Sequence, residues 1–288
     1  MPAHQNHHYV PKSYFTPWCD TDGQLVYFHW ENGRFLTNRV NPKSIAKKPL
    51  LYALSGAPDA LHVSLETKFF TPQVDDPGAT VLRDILERGI DALTKEQRHI
   101  WTRYLMALKA RTPAAVEHAR VLGKEVLQRE LQSNPEEYAV IKRPGNPATL
   151  EECVASWYLE NFGLTQLPDI IDHEKTHNAI IAMRWWLYDF KNAKHDLLTS
   201  DRPLIWHKDV SHPQFFLALP LTPRTGFFVT NNVDTEAKLK SVGATKLAQR
   251  CNESIIANAI EYVYAAHDGH RKFIEKRLLA RNALTQEA

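Results

Sequence analysis

Apolar residues alternate with polar ones early in the chain, recur every three to four residues through its middle, alternate again, and end in a helical tract. The first alternating run, 24–30, is rich in β-formers and follows the turn signal Asp20-Thr21-Asp22-Gly23. Asn32-Gly33 is the hairpin dipeptide, and 34–40 is a second strand, so the pattern predicts a β-hairpin over 24–40. An aromatic-rich segment, His7-His8-Tyr9-Val10-Pro11-Lys12-Ser13-Tyr14-Phe15, enters that hairpin directly. Chain ends usually carry few aromatics, so this one is expected to be tied into the fold.

Helical spacing then takes over. A short turn is expected over 44–47, and a short amphipathic stretch over 61–70, around Glu66. Asp75-Asp76-Pro77-Gly78 separates that stretch from a helix at about 79–91. Thr94 with Gln97 forms a capping-box pattern for a helix reaching Arg111. Pro113 opens the next helix, to about Leu131. An irregular section framed by Ser133-Asn134-Pro135 and 143–147 follows. Thr149 and Glu152 cap a helix through Asn161, and another is expected over 168–183. Strands are predicted at 184–190, 195–199, 215–219 and 226–230, then helices at 235–250, 252–266 and 269–281, with a frayed end.

Strands are thus clustered, not alternating with helices. The expectation is an α+β fold: one domain with a small, mostly antiparallel sheet shared by the hairpin and the strands of 184–230, and a large helical insertion over about 60–182.

Composition narrows the function classes. The chain has 288 residues and a formal net charge of +2, so no global basic signal points to nucleic acid. Three widely spaced cysteines give neither zinc-ligand spacing nor a disulfide framework. No uninterrupted apolar run approaches the roughly 18–20 residues of a spanning helix, and no signal-like N-terminus is present. A cytoplasmic protein without a membrane partner is expected. Gly-rich phosphate loops, the G-x-S-x-G elbow and Cys–His nucleophile signatures are also missing.

The chemistry-bearing residues fall into a few groups. His7 and His8 can ligate a metal or move protons near neutral pH. In extended chain they point to opposite sides, so one is expected to face a site and the other to be structural. Ser200 and Asp201 leave a strand before Pro203; they either satisfy that turn or, through Asp201, ligate a metal or orient a histidine. Arg111, at a corner between helices, either caps carbonyls or faces an anion. His173-Glu174-Lys175-Thr176-His177 matches the zinc-protease pattern, but its polar middle pair and missing third ligand favour a solvated first helical turn. Arg271, Lys272, Lys276, Arg277 and Arg281 make the last helix basic, which usually means a solvated face.

His7-His8-Tyr9-Val10-Pro11-Lys12, Glu66, Arg111-Thr112-Pro113, Ser200-Asp201-Arg202-Pro203, Pro220-Leu221-Thr222-Pro223 and Asn252 occur in the order found in one bacterial family. Over nearly its whole length the chain resembles the family known as domain of unknown function 4238. That resemblance implies no reaction; it marks these residues as places to look.

The expected function is a metal-dependent hydrolase acting on phosphodiesters, nuclease-like. His7, His8, Asp201 and Ser200 would be catalytic, and Lys12, Arg111 and Tyr9 would bind substrate. His8, Asp201 and Glu66 would hold a divalent cation, because hard carboxylates and imidazole suit phosphoryl chemistry. Nucleic acid is the expected partner class. The alternative is a non-catalytic module for protein or nucleic acid in which the same motifs are structural locks.

Overall fold

In the computed structural model, residues 5–142 and 147–286 are described. The chain is α+β: the described residues form ten short strands in antiparallel sheets, with helices between and around them. The N-terminal strand β1 (Asn6–His8) is followed by the hairpin strands β2 (Leu25–Glu31) and β3 (Arg34–Val40), and then by β4 (Lys47–Pro49). Much later come β5 (Arg184–Asp189), β6 (Thr199–Ser200), β7 (Ile205–His207), β8 (Phe216–Thr222), β9 (Thr225–Thr230) and β10 (Val263–Ala265).

The hairpin forms as its pattern requires. Asn32 and Gly33 both take positive φ, 50° and 74°, and the register runs from Leu25↔Val40 to Glu31↔Arg34. The N-terminal motif does not run straight into it. His7 pairs instead with Lys48, and His8 with Lys47, in a separate β1–β4 ribbon. A helical turn, Lys12–Phe15, and a 3-10 turn, Thr16–Trp18, then carry the chain to β2.

The strands divide between sheets instead of sharing one. One sheet has the order β3-β2-β10-β6, and another β5-β9-β8-β7. β10 completes the first sheet, although helical spacing placed 252–266 in a helix. That helix starts earlier, at Ala244, where Gly243 at φ 82° breaks the chain, and it ends at Asn258. Segment 195–199 is not the partner of β5; β9 is. Asn252 holds the segment by its amide, accepting from Leu198 N–H at 2.7 Å and donating to Asp196 C=O at 2.8 Å.

Other helices differ at their ends. The Thr94–Gln97 capping box forms, and its helix is Lys95–Ala110. The Thr149 box also forms but caps only Leu150–Cys153, and a new helix runs Ser156–Thr165. The section expected to be irregular contains the helix Pro135–Ile141, while 143–146 lie outside the described residues. The expected helix 168–183 breaks into Leu167–Ile171 and Glu174–Ala182. The last helix continues to Gln286, past the expected fraying point, and 287–288 lie outside the described residues.

Buried apolar residues form one cluster drawing on the N-terminal segment, both large sheets and the helices. Tyr14 joins the sheets: its hydroxyl meets Thr199 Oγ1 of β6 at 2.8 Å and donates to Pro220 C=O of β8 at 2.6 Å. Among the described residues, no helix is long and apolar enough to cross a membrane.

Candidate functional site

The two histidines of β1 separate as alternation on a strand requires. His7 is fully buried. Its Nδ1 accepts the Tyr52 N–H at 3.0 Å, and its ring stacks on Tyr52 at 5.0 Å. Tyr52 also donates its hydroxyl to His8 C=O at 2.7 Å, so one tyrosine fixes both residues. His8 turns the other way and lines a cavity of about 520 Å³. Burial, reinforced by Lys12 and Lys47, pushes its imidazole down to about 4. The Lys43 backbone opposes this shift. Nε2 is buried without a partner.

The opposite wall comes from an unusual helix. Leu65–Asp75 is π-helical, and Pro72 lies inside it. Proline lacks the N–H and its ring crowds the carbonyl four residues back. That carbonyl, of Lys68, is taken instead by Gln73 Nε2 at 2.7 Å. Bonding to the fifth residue widens the turn, so residues five apart share a face, and π segments gather at functional sites. Glu66 and Thr71 are such a pair, with Thr71 Oγ1 donating to Glu66 Oε1 at 3.4 Å. Both line the cavity, as do Asp75 and Asp76 at the segment's end. Burial, then the charge of Asp75, pushes the Glu66 carboxyl up to about 7. Its Oε2 is buried without a partner.

Arg111 stands behind this wall, fully buried. Its backbone N–H caps Ala107 C=O at 3.0 Å, but among the described residues its guanidinium meets no carbonyl: Nη1 donates to Asp75 Oδ1 at 2.8 Å, while Nε and Nη2 have no partner. Burial pushes the Asp75 carboxyl up and Arg111 pulls it back. Against the burial that opposes its charge, the Asp75 carboxylate keeps the guanidinium protonated. Thr112 caps the next helix through Ala115 N–H at 3.3 Å. Lys12, Lys43 and Lys47 complete the cavity lining with positive charge.

Ser200 and Asp201 are elsewhere. The Asp201 carboxylate is fully buried and accepts the N–H groups of Ile260, Glu261 and Tyr262 at 2.7, 2.8 and 3.0 Å. It shapes the turn that leads into β10. Ser200 Oγ accepts the Arg202 N–H at 3.1 Å. Neither lines the His8 cavity. Tyr9 is buried against a neighbouring cavity.

The expected metal set, His8, Asp201 and Glu66, therefore does not converge. Among the described residues, the group whose donor atoms lie within 4.8 Å of one another is Asp196, His267 and His270. Two of its three members are engaged: Arg224 and His267 Nε2 meet Asp196 at 2.5 and 2.9 Å, and His267 Nδ1 accepts the Gly269 N–H at 3.1 Å, whereas His270 Nε2 is buried without a partner among the described residues. With Nδ1 accepting, Nε2 carries the proton, so no lone pair of His267 is free for a metal.

In the zinc-protease pattern, exposed His173 bonds Thr176 Oγ1 at 3.0 Å, while His177 turns inward to Ile171 C=O at 2.7 Å. The two rings serve no common site. On the last helix, Arg277 pairs with Glu253 at 2.5 Å and Arg281 bonds Ala259 C=O at 2.6 Å, so that basic face is partly consumed internally. Sequence reasoning did not single out Asp75, Thr71, Lys43 and Lys47. Asp75 and Asp76 read as a linker, although Pro72 six residues after Glu66 signalled a distorted helix.

No curated protein and no solved structure matches the chain. A family model described as Protein of unknown function (DUF4238) matches residues 6–269, a span that holds every element of this cavity, and the chain belongs to that family.

Proposed function

We propose that this protein is a hydrolase of phosphodiesters that works by general acid–base catalysis, with His8 as base, Glu66 as acid, and Lys12, Lys43 and Lys47 binding the phosphate. The observation that carries this reading is that His8 and Glu66, each with a buried side-chain atom left without a partner among the described residues, Nε2 and Oε2, line one cavity together with three lysines. Environments that displace two titratable groups in opposite senses mark acid and base assignments. His8 is neutral at pH 7, and Glu66 is about half protonated there.

Water attacks phosphorus and gives its proton to His8 Nε2. The bond to the leaving oxygen breaks, and Glu66 supplies that oxygen's proton. The lysines, with the buried charge of Arg111 behind them, stabilise the developing negative charge. A divalent cation would have to draw on Glu66, Asp75 and Asp76, whose oxygens suit Mg²⁺. Arg111 already occupies Asp75, and the lysines supply the positive charge. Hydrolysis is therefore expected to survive EDTA, and loss on chelation with recovery on Mg²⁺ would return the reaction to a metal.

The test compares leaving groups. Purified protein is expected to hydrolyse both bis(p-nitrophenyl) phosphate and a dinucleoside monophosphate. Glu66→Gln should slow the second roughly 10²–10⁴-fold and the first much less, because nitrophenolate leaves without an acid. Absence of turnover in the wild type would reject the proposal. The alternative, a binding module, is favoured by His7 and Asp201, both consumed by backbone amides. It gains if phosphodiesters bind without turning over.

A further inference from the structure

Next to the β1–β4 ribbon, and sharing Lys47 with the His8 cavity, a second cavity of about 490 Å³ lies over the hairpin sheet. Its floor is aromatic. Tyr27 of β2 pairs in register with Tyr264 of β10, and the next residues on that face are His29 and Tyr262. His29 and Tyr262 approach to 4.8 Å between ring centroids, and Tyr262 lies parallel to Tyr264 within 10°. The four rings make a block on one face of an antiparallel sheet. Its volume falls in the range of small-molecule sites, about 300–1,000 Å³.

Two features say what the block accepts. His29 is 5% exposed and Tyr264 fully buried, yet His29 Nδ1 and Tyr264 Oη have no hydrogen-bonding partner. Buried polar atoms of this kind call for a ligand with donors and acceptors on its edge, which a purely apolar ring lacks. Lys47 lines both this cavity and the His8 cavity, so the two sites share a cation. A ligand spanning them would place a flat, hydrogen-bonding ring on the aromatics and an anion beside Lys47.

We infer that this second cavity is a nucleobase subsite, so that the substrate is a single-stranded nucleic acid with one base on the Tyr27–His29–Tyr262–Tyr264 block and the adjoining phosphodiester at His8 and Glu66. The inference rests on the phosphodiesterase reading for the neighbouring site. Aromatic side chains on a sheet face are a common platform for unstacked bases. Lys47 and Lys48 offset the carboxylates of Glu31 and Glu261 that also line the cavity, so its lining charge does not select a cation.

The experiment measures binding, not turnover, in the Glu66→Gln protein. The probes are a fluorescein-labelled single-stranded DNA octamer and an abasic octamer with the same phosphates, followed by anisotropy. The intact octamer is expected to bind at least tenfold more tightly. Tyr262→Ala should abolish that preference, and Tyr262→Phe, which keeps the ring, should retain it. Tyr27→Leu is the second variant if Tyr262→Ala does not fold, as judged by thermal melting.

Equal affinity for the two octamers, or an unchanged preference in a folded Tyr262→Ala protein, would overturn the subsite. So would displacement of the octamer by tetramethylammonium, which would make the block a cation cage. Failure of the two readings is distinguishable. Base preference without hydrolysis of bis(p-nitrophenyl) phosphate would remove the catalytic reading alone. Hydrolysis without base preference would remove the subsite alone.

Discussion

Burial acts in opposite senses on Glu66 and His8, and that difference is the basis of the proposed chemistry. It also leaves a signature in stability. Glu66, raised from 4.5 to about 7, binds its proton more tightly folded than unfolded. Its contribution to stability is fully present below pH 4.5 and is lost as pH rises through 7. Glu66→Gln removes that loss, so urea denaturation should show the variant about 1–3 kcal/mol more stable relative to wild type at pH 8 than at pH 4. His8 works from the other side. Its folded value, about 4, lies below 6.5, so stability falls as pH drops through that window. Asp201 belongs to a different class. Removing its buried carboxylate leaves three part-buried backbone amides without their acceptor, at a summed cost of about 3 kcal/mol. Asp201→Ala is expected to lose about 3 kcal/mol or more in urea melts, while turnover per folded molecule stays near wild type. A hydrolysis defect without a stability defect would restore Asp201 to the site.

The π-helical segment Leu65–Asp75 is the element that makes the site, because its wide turn places Glu66, Thr71 and Asp75 on one wall. Pro72 is the physical reason for the width. Pro72→Ala restores the N–H and removes the clash, letting the segment tighten towards i→i+4 bonding. The expected result is unchanged or higher thermal stability with hydrolysis lowered more than tenfold. Retained activity would show that the segment's geometry does not depend on its proline. This element also shows where the sequence was legible. The Asn-Gly hairpin and the Thr94–Gln97 box were readable because their signals are local. The opposed orientation of His7 and His8 followed from strand alternation alone. The β1–β4 pairing, the β10 strand and the Glu66–Asp75 wall were not readable. Each depends on a partner that period counting does not see: Lys47 and Lys48 across the ribbon, Asp201 turning 260–262, and a proline that replaces α spacing with π spacing. Asp201 itself was placed at the site because a carboxylate at a strand end looks the same whether it holds a substrate or three amides.

At the scale of the molecule, the His8 cavity and the aromatic cavity share Lys47 of one short ribbon, and Tyr14 of the N-terminal segment bonds to both large sheets. The helix pair Pro113–Ser133 and Ser156–Thr165 packs elsewhere, through a glycine contact. A Cβ on Gly163 would stand 1.7 Å from Ala119 O, and one on Gly123 2.2 Å from Gly163 Cα. Gly163→Ala is expected to destabilise by about 1–3 kcal/mol in thermal or urea melts while leaving the pH profile of hydrolysis unchanged. A shifted profile would mean that this helix pair sets the charge state of the cavity.

The central claim, that a neutral His8 and a protonated Glu66 act together, meets its most direct test in the pH dependence of kcat/KM for a dinucleoside monophosphate. The account expects a bell with limbs near 4 and 7, rising as His8 loses its proton and falling as Glu66 loses its own, with the upper limb abolished in Glu66→Gln. A profile that climbs steadily through pH 8, or an upper limb that persists in Glu66→Gln, would contradict it.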